Sequence, residues 1–289
     1  MIVNPKLWFW ISLITIAASV LIIVLVRPLW GIDFVGGSLL EVKAPEENLE
    51  KVQVLLEDTF SISSTIQPTP EGTLIIRTPV LTSEQHQKIL GALTAEGLAE
   101  EELRFEAAGP TIGAALRRQA IVALVLSIVL MIAYLAYTFR GAAGLTNPWK
   151  FGVAAVYAVL HDLLLVTAIF ALLGKTWNVP VDSLFVTALL AIFGYSVNDT
   201  IVLFNRMATN WVARRSGNLL TNIDQAIRET LMRSINTSMT ILLVLVTMLL
   251  FGGTTLRWFV VALTLGTITG AYSTIFVATP CLYYLTKRR

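Results

Sequence analysis

Cysteine is almost missing from this sequence: Cys281 stands alone among 289 residues, which excludes an internal disulfide and any thiolate metal cluster. Charge is scarce too. It occupies 14% of positions, against about a quarter in ordinary soluble domains, and that shortage argues against a cytosolic enzyme. Carboxylates are nearly absent outside one stretch, since 14 of the 19 acidic residues fall between Pro28 and Arg118. Only Asp162, Asp182, Asp199, Asp224 and Glu229 remain for the rest of the chain. None of these features calls for a metal, a cofactor or nucleic acid.

Apolar residues, in contrast, make up 55% of the chain. A hydrocarbon core about 30 Å thick needs about 20 apolar residues per helix, and six runs meet that need: 7–26, 119–138, 151–173, 183–204, 236–252 and 258–285. The first run outlasts the roughly 7–15 residues of a signal-peptide core, and Arg27-Pro28-Leu29-Trp30 behind it offers no small-residue cleavage site, so it reads as a retained span. The last is longer than a bilayer requires and is expected to tilt or to break near Pro280. Lys6, Arg140, Lys150, Arg206, Arg214, Arg215, Arg228, Arg233, Lys287, Arg288 and Arg289 fall on one side of the alternating loops, while the short loops of the other side hold Lys175 and Arg257. Positive charge marks the cytoplasmic side, so both termini are expected there and the acidic segment 28–118 outside. Trp8, Trp10, Trp30, Trp149, Trp177 and Trp258 cluster near span ends, where they anchor a helix at the lipid interface.

The acidic segment alternates strand and helix patterns. Ser38–Val42 reads as a strand, and Glu46–Phe60 carries Leu49, Val52, Leu55 and Leu56 at helical spacing. Ser61–Gln67 and Thr73–Thr78 read as a hairpin joined through Pro68-Thr69-Pro70-Glu71-Gly72. Thr82-Ser83-Glu84-Gln85 opens a second helix as a capping box, and Glu102–Ala107 supplies a last strand. The expected fold is therefore an α-helical polytopic membrane protein of six transmembrane helices. One extracytoplasmic α+β domain, ferredoxin-like in its β-α-β-β-α-β order, lies between the first and second spans. The division is 1–27 as first helix, 28–118 as outer domain and 119–289 as a five-helix region with a cytoplasmic loop at 205–235.

Two carboxylates fall inside spans, Asp162 beside His161 and Asp199 within Tyr195-Ser196-Val197-Asn198-Asp199-Thr200. A charge at a span centre costs about 2.5–3.5 kcal/mol on insertion scales, so such residues face a bundle interior or a water path. Each has two readings, proton handling or a polar tie between helices. Adjacent residues do not face each other on a helix, so His161 and Asp162 are expected to have separate partners. Arg233 opens the fifth span, with Thr237 and Thr240 on its face and Ser234, Asn236 and Ser238 nearby, a plausible polar lane. An arginine at a span margin also snorkels to the interface. Gly266 and Gly270 form a small-xxx-small pair suited to close helix approach. Gly31–Gly37, just past the first span, reads as a tight turn with room for backbone approach.

These residues resemble the SecF family, the six-span subunits of the SecDF protein-export complex within the resistance-nodulation-division superfamily. The resemblance rests on Gly31-Ile32-Asp33-Phe34-Val35-Gly36-Gly37, Gly109-Pro110-Thr111-Ile112-Gly113 with Leu116-Arg117-Arg118, His161-Asp162, Gly194-Tyr195-Ser196-Val197-Asn198-Asp199-Thr200-Ile201-Val202 and Arg233-Ser234-Ile235-Asn236-Thr237-Ser238. It implies an accessory role in the Sec translocase of the bacterial inner membrane. There the chain would use the proton gradient, with SecD and the SecYEG channel as partners, to help preproteins across and release them outside. It ties Asp199 and Arg233 to proton coupling, with Asn198, Thr200, Thr237, His161 and Asp162 as supporting polar residues. One departure is visible. Where the family often has Phe-Asp-Arg-Ile-Arg-Glu-Asn after the signature, this chain has Phe204-Asn205-Arg206-Met207-Ala208-Thr209-Asn210, which removes two acids and one arginine and so ion-pair partners from the loop that follows. The competing readings are a small-solute efflux half-transporter of the same superfamily, an assembly factor without proton coupling, and an intramembrane aspartyl protease. The last lacks a Gly-x-Gly-Asp setting at Asp199.

Overall fold

The computed structural model describes residues 4–69, 72–142, 145–214, 218–253 and 256–287. Pro70, Glu71, Arg215, Arg288 and Arg289, used above for the hairpin link and the orientation count, lie outside the described residues. The chain forms two compact units, one spanning Trp30–Ile121 and the other made of the remaining residues.

In the first unit the elements follow as α2 (Ile32–Val35), β1 (Gly37–Lys43), α3 (Leu49–Val54), β2 (Thr65–Pro68), β3 (Thr73–Thr78), α4 (Ser83–Ala95) and β4 (Glu101–Ala108), after the apolar helix α1 (Pro5–Val26). The four strands form one sheet in the order β2-β3-β1-β4, every neighbouring pair antiparallel. Alternation along the strands turns Leu40, Val42, Leu74 and Ile76 inward, where they meet Val52, Leu56, Ile89 and Leu93 from the two helices. Helix α4 starts as its sequence indicates. Thr82 Oγ1 accepts from the Gln85 amide at 3.3 Å, and Gln85 Oε1 accepts from the Thr82 amide at 2.9 Å, so two donors that the helix cannot satisfy internally are paired. The helix expected over Glu46–Phe60 widens instead, through a π-turn at Leu55–Thr59, and the strand expected from Ser61 begins at Thr65. On the sheet rim, Glu100 accepts from the exposed Lys43 ammonium at 2.7 Å, and this hydrogen bond and charge hold the amine above its ordinary pKa.

The Gly31–Gly37 stretch contains the short helix α2 where a turn was expected. Its exit runs through Gly36 at φ +81° and Gly37 at φ +141°, conformations that disfavour side chains. A Cβ on Gly37 would sit 2.8 Å from the Thr78 carbonyl oxygen, and one on Gly113 would sit 2.9 Å from that of Phe34. The two glycine motifs thus press against one another through backbone.

The second unit is helical: α1, then the body of α5 (Pro110–Thr138), α6 (Trp149–Trp177), α7 (Ser183–Arg214), α8 (Leu219–Phe251), α9 (Arg257–Ser273) and α10 (Thr279–Lys287). Among the described residues six helices are long and apolar enough to cross a membrane, α9 and α10 together forming one of them. The π-turn Thr274–Ala278 joins these last two directly before Pro280, where a missing N–H and a bulky ring disturb the helix ladder. Helix α1 buries Ser12 and Ser19 and little else. Ser12 Oγ lies 2.9 Å from the Tyr157 hydroxyl of α6, a small-residue contact of the kind that lets membrane helices approach.

The expected loop 205–235 is largely helix, because α7 continues to Arg214 and α8 begins at Leu219. Hydropathy falls there but the helical period does not: Ile223, Ala226, Ile227 and Thr230 are buried at three- and four-residue spacing. The ion pairing that the sequence departure seemed to remove is present as well. Glu229 accepts from Arg206 Nε at 2.5 Å, from Asn210 Nδ2 at 2.8 Å and from Gln225 Nε2 at 2.7 Å, so the acid comes from α8 instead of α7.

Candidate functional site

Helix α7 carries the signature Tyr195–Thr200, and its 3.6-residue turn sorts those residues onto two faces. Tyr195 and Asp199, four apart, meet α8. Ser234 Oγ donates to Asp199 Oδ1 at 2.5 Å, and the Tyr195 hydroxyl lies 2.7 Å from Ser238 Oγ. The rungs 199–234 and 195–238 run in opposite chain directions, so the two helices are antiparallel along this seam.

Ser196 and Thr200, one position on, meet α6, α9 and the π-turn that follows α9. Asp162 is fully buried, and both serines donate to its Oδ2, Ser196 from α7 at 2.7 Å and Ser273 from α9 at 2.7 Å. Its Oδ1 lies 3.0 Å from His161 Nδ1, while His161 Nε2 lies 3.4 Å from the Tyr272 hydroxyl. His161 and Asp162 have separate outer partners, but adjacency on the helix does not keep them apart, because their side chains also meet each other. One turn along α7, Thr200 Oγ1 and Thr274 Oγ1 are 3.0 Å apart. Two glycines allow this closeness. A Cβ on Gly266 would fall 2.2 Å from Ile192 Cγ1, and one on Gly270 would fall 3.3 Å from Ser196 Cβ.

The two carboxylates therefore differ in supply. Every oxygen of Asp162 has a partner, whereas among the described residues Asp199 Oδ2 is buried without one. The Thr274 hydroxyl is near enough to interact with the Asp199 carboxylate, although among the described residues no donor meets full hydrogen-bond geometry at Oδ2. Buried acceptors are paired in most proteins, and an exception calls for an explanation.

The other sequence candidates lie outside these contacts. Arg233 and Asn198 are exposed. Arg233 is within electrostatic reach of Asp199, and among the described residues no ion pair joins them. Thr237 and Thr240 hydrogen-bond back to the α8 backbone, at 2.9 Å to the Arg233 and Thr237 carbonyls. The polar stripe that α8 buries is Thr230, Ser234 and Ser238, one position beyond the lane read from Arg233. Tyr272, Ser273 and Thr274 were not anticipated at all. Their signal was available in part, as three successive polar residues inside an apolar run behind a small-xxx-small pair.

The family described as "Protein export membrane protein SecD/SecF, C-terminal" matches residues 90–288. A protein translocase subunit SecF from Thermobaculum terrenum is 34% identical over 284 residues, covering 94% of this chain and 89% of its own. The subunit of that name from Synechocystis sp. is 38% identical over 261 residues, 86% of this chain and 80% of its own. The crystal structure of SecDF, a translocon-associated membrane protein from Thermus thermophilus, superposes with a TM-score of 0.87 at 30% identity. That match takes in 98% of this chain but 38% of the longer SecDF chain. With six helices of membrane-spanning length and relatives matched nearly end to end, this chain is a multi-pass membrane protein that belongs to the SecF family of protein-export subunits.

Proposed function

We propose that this chain is the proton-driven SecF-type subunit of a Sec translocase, acting with SecD and the SecYEG channel to draw preproteins across the bacterial inner membrane and release them outside. The partnership with SecD is supported by the solved SecDF relative, in which the region like this one is part of a single longer chain. Both termini face the cytoplasm in this proposal. Residues 28–118 form an extracytoplasmic, ferredoxin-like domain that handles the polypeptide or the partner. The strand and helix order β1-α3-β2-β3-α4-β4 supports that assignment.

Asp199 carries the reading. It sits within an apolar helix with one oxygen paired to Ser234 and the other, among the described residues, buried without a donor in hydrogen-bond geometry. Protonation turns an acceptor-only oxygen into a donor, so the proton state of Asp199 changes what Oδ2 can bind among Thr274, water and the charge of Arg233. One charge moved through 100 mV supplies about 2.3 kcal/mol, enough to bias a rearrangement of α7 against α8 that reaches the outer domain. The work is mechanical and not that of an enzyme: an aspartyl protease needs two carboxylates sharing one site, and Asp162 and Asp199 have separate donors.

The test is Asp199→Asn co-expressed with SecD, read as gradient-dependent preprotein export at matched membrane abundance. Export support is expected to disappear while the pair still assembles. Undiminished export would remove proton coupling at Asp199 and leave a structural carboxylate.

A further inference from the structure

We infer that Asp162 is a positioning residue for Asp199: its carboxylate pins α7 and α9 to α6 and thereby sets the rotation at which α7 presents Asp199 to Ser234. The inference deepens the reading above, resting on Asp199 as the functional group. Three observations carry it. A single oxygen, Asp162 Oδ2, receives one hydroxyl from α7 and one from α9, Ser196 and Ser273, each at 2.7 Å. The α7–α9 seam is tight, with Gly266 and Gly270 against Ile192 and Ser196, so α7 has little freedom to slide while that clamp holds. Ser196 and Asp199 are three residues apart, neighbours on one helix surface, so a turn of α7 about its axis moves both together.

The residue next to the clamp on the chain also interacts with Asp199. Thr274 is the residue after Ser273, starts the π-turn, contacts Thr200 at 3.0 Å and approaches Asp199. Widened turns of this type recur at functional sites. What the clamp requires of Asp162 is acceptor oxygens in place, and an asparagine supplies one: its Oδ1 can take both serine hydroxyls while its amide donates to His161 Nδ1. A proton carrier cannot be replaced in that way.

The experiment uses the full chain with SecD in native membranes. Modification of Asp199 by dicyclohexylcarbodiimide, which attacks protonated carboxyls in apolar surroundings, is followed across pH and mapped by mass spectrometry, with export measured alongside. Losing two hydrogen bonds to the clamp is expected to change the Asp199 modification rate about tenfold, or move its midpoint by about one pH unit, in Asp162→Leu and in Ser196→Ala/Ser273→Ala. Asp162→Asn should stay within about twofold of wild type on the same scale. If Asp162→Leu fails to accumulate, the double serine variant and Asp162→Asn decide the matter. The inference is overturned if Asp162→Asn behaves as badly as the double serine variant, which would make the charge or proton of Asp162 itself essential. It is equally overturned if the double variant leaves the Asp199 profile unchanged. Normal export by Asp199→Asn alongside the expected profile shift would sink the coupling reading and spare this one. A dead Asp199→Asn with an insensitive profile would do the reverse.

Discussion

Asp162 and Asp199 are both carboxylates in the apolar interior of neighbouring helices, yet their surroundings treat them differently. Asp162 is fully buried and saturated, with two serines on one oxygen and a histidine on the other. Asp199 is half-buried, holds one serine and, among the described residues, keeps an oxygen without a donor in hydrogen-bond geometry. A saturated group is costly to disturb and so suits a fixed joint; an unsaturated one has a second state within reach, because water, a proton or a neighbouring hydroxyl can complete it. Helix α7 displays both kinds of contact on adjacent faces, one to α6 and α9 and one to α8. The two carboxylates thus differ as a saturated joint differs from a group left open.

That division can be broken by substitution. Asp162→Ala strips partners from two buried hydroxyls and a histidine, and should cost about 2–3 kcal/mol in thermal unfolding of the purified protein. An unchanged Tm would deny the joint. Gly266→Leu drives a side chain into Ile192 on the same seam and should cost about 1–3 kcal/mol by overpacking. The same change at Gly194, which has open space around its Cβ, serves as the control. Ser234→Ala sharpens the contrast from the other face: stability should fall by about 1 kcal/mol or less, since interhelical hydrogen bonds are modest in membranes, while gradient-dependent export falls severalfold. A large loss of stability with intact export would place Asp199 on the structural side. The smallest effect belongs to the sheet rim. The Lys43 amine has a raised pKa in the folded state, so its pairing with Glu100 contributes below the unfolded amine pKa and is lost as pH rises through the folded one. Because Lys43 is fully exposed, Lys43→Met should leave Tm unchanged at neutral pH, and a clear drop would show that the rim pair is less screened than its exposure implies.

The legible parts of the fold were those with a strong local signal. Six apolar runs stand out because lipid demands about 20 residues of each, and the capping box of α4 can be read because its four residues satisfy one another. Helix ends were less legible. The arms of α7 and α8 beyond the apolar core read as a loop in the sequence yet are helical, since hydropathy reports where lipid stops and not where backbone hydrogen bonding stops. Within the polar lane of α8 the sequence does not say which residues are buried: Arg233 is exposed, while the contacts to α7 belong to Ser234 and Ser238.

Composition and periodicity by themselves determined that this chain is built for a membrane, that one acidic stretch alternates strand and helix, and that Asp162 and Asp199 fall within apolar helices. These follow from transfer energies and from the periods of helix and strand, which are local properties. Which carboxylate is saturated and which keeps a bare oxygen was decided only in three dimensions. Ser196 and Ser273 are 77 residues apart in the chain and reach one oxygen only because Gly266 and Gly270 let α9 lie against α7. Donor counts at a buried group depend on such encounters between distant segments.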